Sequence, residues 1–246
     1  MQFVQNTPIW LKETDSTNKE ALRMLKAGRP EEGTCICAHF QTEGKGQRSN
    51  RWLSLPNENL LVSFILYPPI HSASEPFTLS MAAALAVRET IAEFTNHPVE
   101  IKWPNDILVS GKKIAGILIE NQWLGSSWHA AVVGIGININ QREFDVEHAT
   151  SLSLITDLIT DPKIVLHRLQ ANLSALYTRF CKKEHATLSH EYHEQLFGRK
   201  TLHTYQTAQG LILAQVVQVL HDGRLELRSS EDVYLTFDLS EVRLVY

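Results

Sequence analysis

Apolar residues recur along most of the chain in short alternating or continuous runs, the spacing of strands; only a few stretches show a 3.6-residue stripe. Strands are predicted over Ile9–Glu13, Thr34–Gln41, Leu60–Leu66, Val99–Trp103, Ile107–Val109, Lys113–Glu120 and Trp128–Ile137. Helices are predicted from Thr17 to about Ala27, from about Phe77 to Phe94, from Pro162 to about Lys182 and over about Ala186–Phe197. Thr17 with Glu20 reads as a capping box, Gly28 as the C-terminal stop, Ser74 as the second cap, and Asp161-Pro162 as N-cap and first residue of the third helix. Leu166, Leu169, Leu173, Leu176 or Tyr177, and Phe180 form a core-facing stripe. Residues 140–160 read as an irregular loop. From Thr201 onward, short alternating strands turn at Gln209-Gly210 and Asp222-Gly223, which suits a small SH3-like β-barrel. The boundary falls at Gly198-Arg199-Lys200, giving an α/β domain over residues 1–198 and a β domain over 199–246.

Composition narrows the class. The 246 residues are 43% hydrophobic and 20% charged, ordinary for a soluble globular protein with a sizeable core. A net charge of −4 creates no field that would recruit nucleic acid. No apolar run reaches the ~18 residues a membrane helix needs, and Met1–Ile9 is too polar for a signal peptide. Cys35, Cys37 and Cys181 lack metal spacing and read as reduced structural residues of a cytoplasmic protein, with a Cys35–Cys37 metal or redox pair as the alternative. His185, His190 and His193 do not share one helical face at metal spacing and read as solvated; no metal-ligating set stands out.

Candidate chemistry concentrates in four segments. In Ile101–Glu120, Pro104 biases Trp103 away from helix, and Ser110-Gly111 between two apolar runs reads as a tight hairpin. Lys113 then stands at the start of a buried strand, with Lys102, Asn105 and Asp106 on its neighbour. Cations beside an amide and a carboxylate suit binding of anions and a metal; a solvated strand end is the plainer reading. Gln41–Trp52 holds Gly44, Gly46, Lys45, Arg48, Arg51, several amides and Trp52. Its glycines let backbone N–H groups approach an anion, although it is no P-loop; a flexible basic surface loop is the alternative. Asp15-Ser16-Thr17-Asn18 carries more hydrogen-bonding groups than capping requires and could hold a polar ligand, or simply cap a helix. Gly134 and Gly136 project to one face of a strand, and Asn138 continues on that side. Either something lies flat against that face, or the glycines mark a barrel corner. A dinucleotide fingerprint is ruled out by the missing third glycine and helix.

Taken together, these segments resemble the biotin–protein ligase family over nearly the whole chain. The matches come in family order: Ser16-Thr17-Asn18; Gln41–Trp52 in place of the usual glycine- and arginine-rich loop; Lys102-Trp103-Pro104-Asn105-Asp106 followed by Lys113-Ile114-Ala115-Gly116-Ile117; and Gly134-x-Gly136-x-Asn138. The Lys-Trp-Pro-Asn-Asp string with its following lysine is the specific signal. The resemblance implies a mixed-sheet catalytic domain related to class II aminoacyl-tRNA synthetases, with an SH3-like C-terminal domain. It implies a ligase that joins biotin to ATP as biotinyl-5′-AMP, with Mg²⁺, and transfers biotin to a lysine of a biotin carboxyl carrier protein of the acetyl-CoA carboxylase type. Family members with an N-terminal DNA-binding domain also repress transcription; here the match begins by Asp15, which suggests the ligase-only form with no DNA partner. The family includes monomers and homodimers.

By resemblance, Lys113, Lys45 and Arg48 are the catalytic cations. Ser16, Thr17, Asn18, Gln41, Gly44, Lys45, Gly46, Gln47, Lys113, Gly116 and Gly136 surround biotin, while Arg48, Arg51, Trp52, Lys102, Asn105, Asp106, Lys113 and Asn138 serve ATP. The 43–51 loop is expected to close over the adenylate. That loop departs from the family pattern: Lys45 and Gln47 replace arginines, and Ser49-Asn50 stand for Gly-Arg, so charge and planar forks are lost. Weaker retention of the adenylate follows as an expectation. Lipoate and octanoate ligases, on the same catalytic fold, lack the Lys-Trp-Pro-Asn-Asp string.

Overall fold

The computed structural model describes residues 6–48, 50–69 and 76–245. The cap expected at Ser74, and Ser49 of the basic loop, lie outside the described residues. Seven strands form a mixed sheet: β1 (Ile9–Leu11), β2 (Cys35–Ala38), β3 (Asn59–Leu66), β4 (Val99–Lys102), β5 (Asp106–Val109), β6 (Lys112–Leu124) and β7 (Ser127–Asn138). Their order is β1-β2-β3-β7-β6-β5-β4, with β1 parallel to β2 and the other pairs antiparallel. Ser110 and Gly111 both take positive φ (49° and 79°), the conformation that closes the expected two-residue hairpin.

Alternation along the strands sorts the side chains into two layers. Cys35, Cys37, Leu60, Val62, Phe64 and Leu66 face the large core beneath α2 (Pro76–Ala92) and α4 (Pro162–Cys181). Ile36, Ile65 and Val132 face the other way, onto Ala21 of α1 (Thr17–Ala27). The alanine run of α2 is buried and lets that helix lie close to the sheet and to α4. Cys35 and Cys37 are buried and free, with sulfurs 3.8 Å apart on the core side.

Several expectations shift in detail. Ser16, not Thr17, is the N-cap of α1, and its side chain makes no cap bond; Glu20 pairs with Arg23 instead of reaching back. The expected loop at 140–160 contains α3 (Leu152–Thr156), capped by Ser151, whose side chain accepts from the Leu154 N–H. A five-residue helix carries too short a stripe to stand out. Helix α5 (His185–Glu194) ends earlier than predicted. Its histidines are not all solvated: His185 stacks on Phe180, and His193 Nε2 accepts from the Val219 N–H at 2.8 Å.

The C-terminal residues form a five-stranded antiparallel sheet in the order β11-β10-β9-β8-β12: β8 (His203–Thr207), β9 (Gly210–Val219), β10 (Leu225–Ser229), β11 (Tyr234–Phe237) and β12 (Val242–Leu244). Trp103 Nε1 donates to the Gly223 carbonyl at 2.9 Å, and Phe77 packs against Gly223, so this sheet is fastened to the larger one beside the β4–β5 turn. No helix of the described residues is long and apolar enough to cross a membrane.

Candidate active site

The site is built on the α1 side of the large sheet, where strand register sets out a small lattice. Leu61 pairs with Gly136, and Gly136 with Gly116; Ser63 pairs with Gly134, and Gly134 with Leu118; Ile65 pairs with Val132, and Val132 with Glu120. Because these positions are two apart on each strand, all nine side-chain positions share one face. The row containing Gly116 and Gly136 has no side chains over two strands. A Cβ at Gly136 would sit 2.5 Å from Trp52 Cε2, and one at Gly116 would sit 3.0 Å from Trp52 Cζ3. Of the alternating pair Gly134 and Gly136, Gly136 is covered by the Trp52 indole, which also lies on Gly116. In the next row, a Cβ at Gly134 would overlap the Asn18 side-chain oxygen.

The start of α1 supplies the polar end. Ser16, Thr17 and Asn18 are buried. Gln41 Oε1 accepts from both the Thr17 N–H (2.7 Å) and the Thr17 hydroxyl (3.1 Å), so a side chain from another segment satisfies the helix terminus. The Ser63 hydroxyl lies 2.7 Å from Thr17 Oγ1 and 2.6 Å from Asn18 Oδ1. Asn18 Nδ2 donates to Glu120 Oε2 at 2.8 Å. Asp15 stays outside this network: it is partly exposed, and its paired Arg23 guanidinium holds its carboxyl far below the usual range.

The charged end lies at the β4–β5 turn. Asp106, 8% exposed, receives Lys113 Nζ at 2.6 Å on one oxygen and Lys102 Nζ at 3.2 Å on the other. Two ammonium groups are thus held within reach of one carboxylate, leaving local positive charge in excess. Lys113 Nζ also lies 5.5 Å from the Trp52 ring centroid. Asn105 is fixed differently: its Nδ2 donates to the Ile117 carbonyl at 2.9 Å, which pins the turn to β6. Asp106 thus contacts the two lysines and Asn105 the backbone of β6.

The basic loop folds into a narrow hairpin. Lys45 bridges to Arg51, the Gly46 N–H donates to the Asn50 carbonyl (2.8 Å), and the Trp52 N–H to the Gly44 carbonyl (2.9 Å). A Cβ at Gly44 would collide with the Trp52 carbonyl, so that position requires glycine. Arg51 donates to the Thr42 carbonyl, and Arg48 takes a positive φ of 58°. Trp52 Nε1 is buried without a hydrogen-bond partner.

A cavity of about 700 Å³ joins these parts. It is lined by Ser16, Thr17, Asn18, Gln41, Lys45, Gly46, Gln47, Arg48, Arg51, Trp52, Lys102, Asn105, Asp106, Lys113, Gly116 and Gly136, which brings together nearly every expected residue. Gly44 lines a smaller adjoining cavity behind the loop. Asn138 stands apart: it is buried and donates to the Thr150 carbonyl at 3.0 Å. One wall was not foreseen. Tyr205, Gln206, Thr207 and residues 239–244 of the small sheet also line the large cavity. Burial pushes the Tyr205 phenol up to about 12, so it faces the cavity as a neutral group. Ser63 was also missed; a lone serine in an apolar run carries no periodic signal.

A mixed sheet with a glycine floor, a cation pair held by a carboxylate and a basic loop along the cavity are the features of a nucleotide-dependent ligase site. The Biotin/lipoate A/B protein ligase family model matches residues 10–138, and the chain belongs to that family. The Bifunctional ligase/repressor BirA of Bacillus subtilis is 31% identical over 223 residues, covering 89% of this chain and 68% of the relative. The biotin–[acetyl-CoA-carboxylase] ligase of Paracoccus denitrificans is 37% identical over 131 residues, covering 52% of this chain and 53% of that one. Among solved structures, the biotin protein ligase from Aquifex aeolicus in complex with biotin and ATP matches with a TM-score of 0.79 and 31% identity, covering 98% of this chain and 99% of that chain.

Proposed function

We propose that this chain activates biotin with ATP as biotinyl-5′-AMP and transfers the biotinyl group to a lysine of a biotin carboxyl carrier protein. The observation that carries the proposal is Lys113, held 2.6 Å from Asp106 in the cavity lining. Its Nζ is 3.4 Å from where a Gly116 Cβ would stand, one register row from Gly134, against which Asn18 lies. In the first step a biotin carboxylate oxygen bonds to the α-phosphorus and the bond to the bridging oxygen breaks, releasing pyrophosphate. Two anions must meet, so fixed cations lower the barrier most where charge develops. Lys113 bridges the carboxylate and the α-phosphate, Lys102 adds charge beside it, and Lys45, Arg48 and Arg51 approach from the loop. Asp106 aligns the two lysines. In the second step the carrier lysine amine attacks the acyl carbon of the mixed anhydride: the amide C–N bond forms, the acyl C–O bond breaks, AMP leaves with the bridging oxygen, and the amine proton passes to solvent.

The polar end suits a ureido group, which presents two donors and one acceptor. Ser16, Thr17, Asn18, Gln41 and the Ser63 hydroxyl supply complementary groups in a buried setting. Trp52, already lying on Gly116 and Gly136, forms an apolar wall for the ring system. The small sheet closes the opposite wall, which makes it part of the same site. Among the described residues no cluster of three His, Cys, Asp or Glu could hold a metal, and Asp106 is already shared by two lysines. The residues present therefore do not form a protein cage for Mg²⁺, which would be carried to the site by the nucleotide phosphates.

Incubation with ATP, Mg²⁺, biotin and a biotin carboxyl carrier domain should label a single carrier lysine by mass spectrometry. An unlabelled carrier, with the adenylate formed, would limit the activity to the first step.

A further inference from the structure

Glu120 matches no motif, yet it occupies the corner of the site lattice, paired in register with Val132 and one row from Gly134 and Leu118. Its two oxygens serve different segments. Oε2 accepts from Asn18 Nδ2 at 2.8 Å, and Oε1 lies 3.9 Å from Lys45 Nζ. The carboxylate also lines the smaller cavity behind the basic loop, together with Lys19, Glu43, Lys45, Arg48 and Arg51.

We propose, on the functional reading above, that Glu120 is a positioning residue: one oxygen fixes the Asn18 amide for recognition of the ligand's polar head, and the other holds Lys45 and its loop in the ligand-free state. The Asn18 amide has two orientations of nearly equal shape. A carboxylate accepts only, so Glu120 forces Nδ2 toward itself and leaves Oδ1 facing Ser63 at 2.6 Å. The Ser63 proton then goes to Asn18, and the Thr17 hydroxyl proton is shared between the Ser63 oxygen at 2.7 Å and Gln41 Oε1 at 3.1 Å. The Leu118 carbonyl accepts from the same Nδ2 at 3.3 Å, and Glu120 adds the shorter, charge-assisted bond at 2.8 Å. Two acceptor-only groups thus set the direction of the chain, which is what discrimination between donors and acceptors on a ligand needs.

The second contact is weak by design of its geometry. Lys45 is 43% exposed, Glu120 is 26% exposed, and the pair is long. Such pairs contribute little and are screened by salt. A weak pair can be surrendered when a more negative partner, such as a phosphate, draws Lys45 inward. Lys19 holds Glu43 at the other end of the loop through a close hydrogen-bonded ion pair.

Two variants separate the contacts. Glu120→Gln keeps an acceptor for Asn18 and removes the ion pair; Glu120→Ala removes both. Tryptic cleavage of the ligand-free loop (at Lys45, Arg48 and Arg51) should be faster in both variants than in the native protein. Molar salt should speed cleavage of the native loop more than that of the two variants, which keep only the Lys19–Glu43 pair to be screened. In pyrophosphate exchange, the biotin KM should rise roughly tenfold in Glu120→Ala, the cost of a lost charge-assisted hydrogen bond. It should return near the native value in Glu120→Gln, with the ATP KM unmoved in both. Equal loop cleavage in all three proteins would overturn the Lys45 contact. A native biotin KM in Glu120→Ala, or a parallel rise in the ATP KM, would overturn the Asn18 contact. No exchange with biotin in the native protein would overturn the functional reading and the Asn18 contact with it, while the cleavage comparison decides the Lys45 contact independently.

Discussion

Lys113→Ala lowers biotin-dependent ATP–pyrophosphate exchange by about a thousandfold, the scale set by removing one preorganised charge-stabilising group from an active site. The loss falls on kcat, because the ammonium is needed where the carboxylate and the phosphate meet, and much less on the biotin KM. Stability changes little. Lys113 is 36% exposed at its side chain, and Asp106 keeps Lys102 at 3.2 Å when Lys113 is removed. The lost pair is therefore worth about 0–1 kcal/mol to the fold. Lys113→Arg restores charge but not shape, since a planar fork cannot reproduce the compact ammonium beside Asp106. Partial recovery in Arg is expected. Thermal unfolding together with exchange kinetics for the native, Ala and Arg proteins checks this; a collapse in melting temperature that parallels the activity would assign Lys113 a structural role instead.

Gly136→Ala raises the biotin KM by about a hundredfold and costs about 1–3 kcal/mol of stability, the usual cost of overpacking a filled site. The added methyl would sit 2.5 Å from Trp52 Cε2 and 2.9 Å from Nε1. Neither neighbour can yield in place: Gly136 is fixed in β7 by pairing on both sides, to Leu61 and Gly116. The indole must leave, and with it the apolar wall and the 44–52 hairpin that carries it. Trp52 emission should shift to the red in the variant. Gly28→Ala is the matching control, because a Cβ there meets nothing within 4 Å and its φ of 173° is extended backbone. An unmoved Trp52 signal and a native KM in Gly136→Ala would remove the glycine floor from the site.

The sheet was legible because its strands alternate or run apolar between Gly, Pro and Asx turns, and because Ser110-Gly111 admits one turn class. The same periodicity placed Gly134 and Gly136 on one face, and the Lys-Trp-Pro-Asn-Asp string marked the cations. What the periodicity could not carry is register. Nothing in the sequence says that Leu61 meets Gly136 or that Glu120 meets Val132, and the lattice, Ser63 and Glu120 become visible only with those pairings. Long-range packing was equally hidden. The cavity wall from Tyr205–Ala208 and residues 239–244 reads as ordinary β residues, and His193 reads as a surface histidine until Val219 is beside it. Local chemistry misled once: Thr17 and Glu20 fit a capping box, yet Gln41 from across the sheet takes the Thr17 N–H.

ATP–pyrophosphate exchange, measured separately with biotin, lipoate and octanoate, decides whether this cavity adenylates biotin. Exchange with biotin alone is the predicted result. Exchange with lipoate or octanoate and none with biotin would contradict it, because the polar end formed by Ser16, Thr17, Asn18 and Gln41 would then have no ureido group to meet.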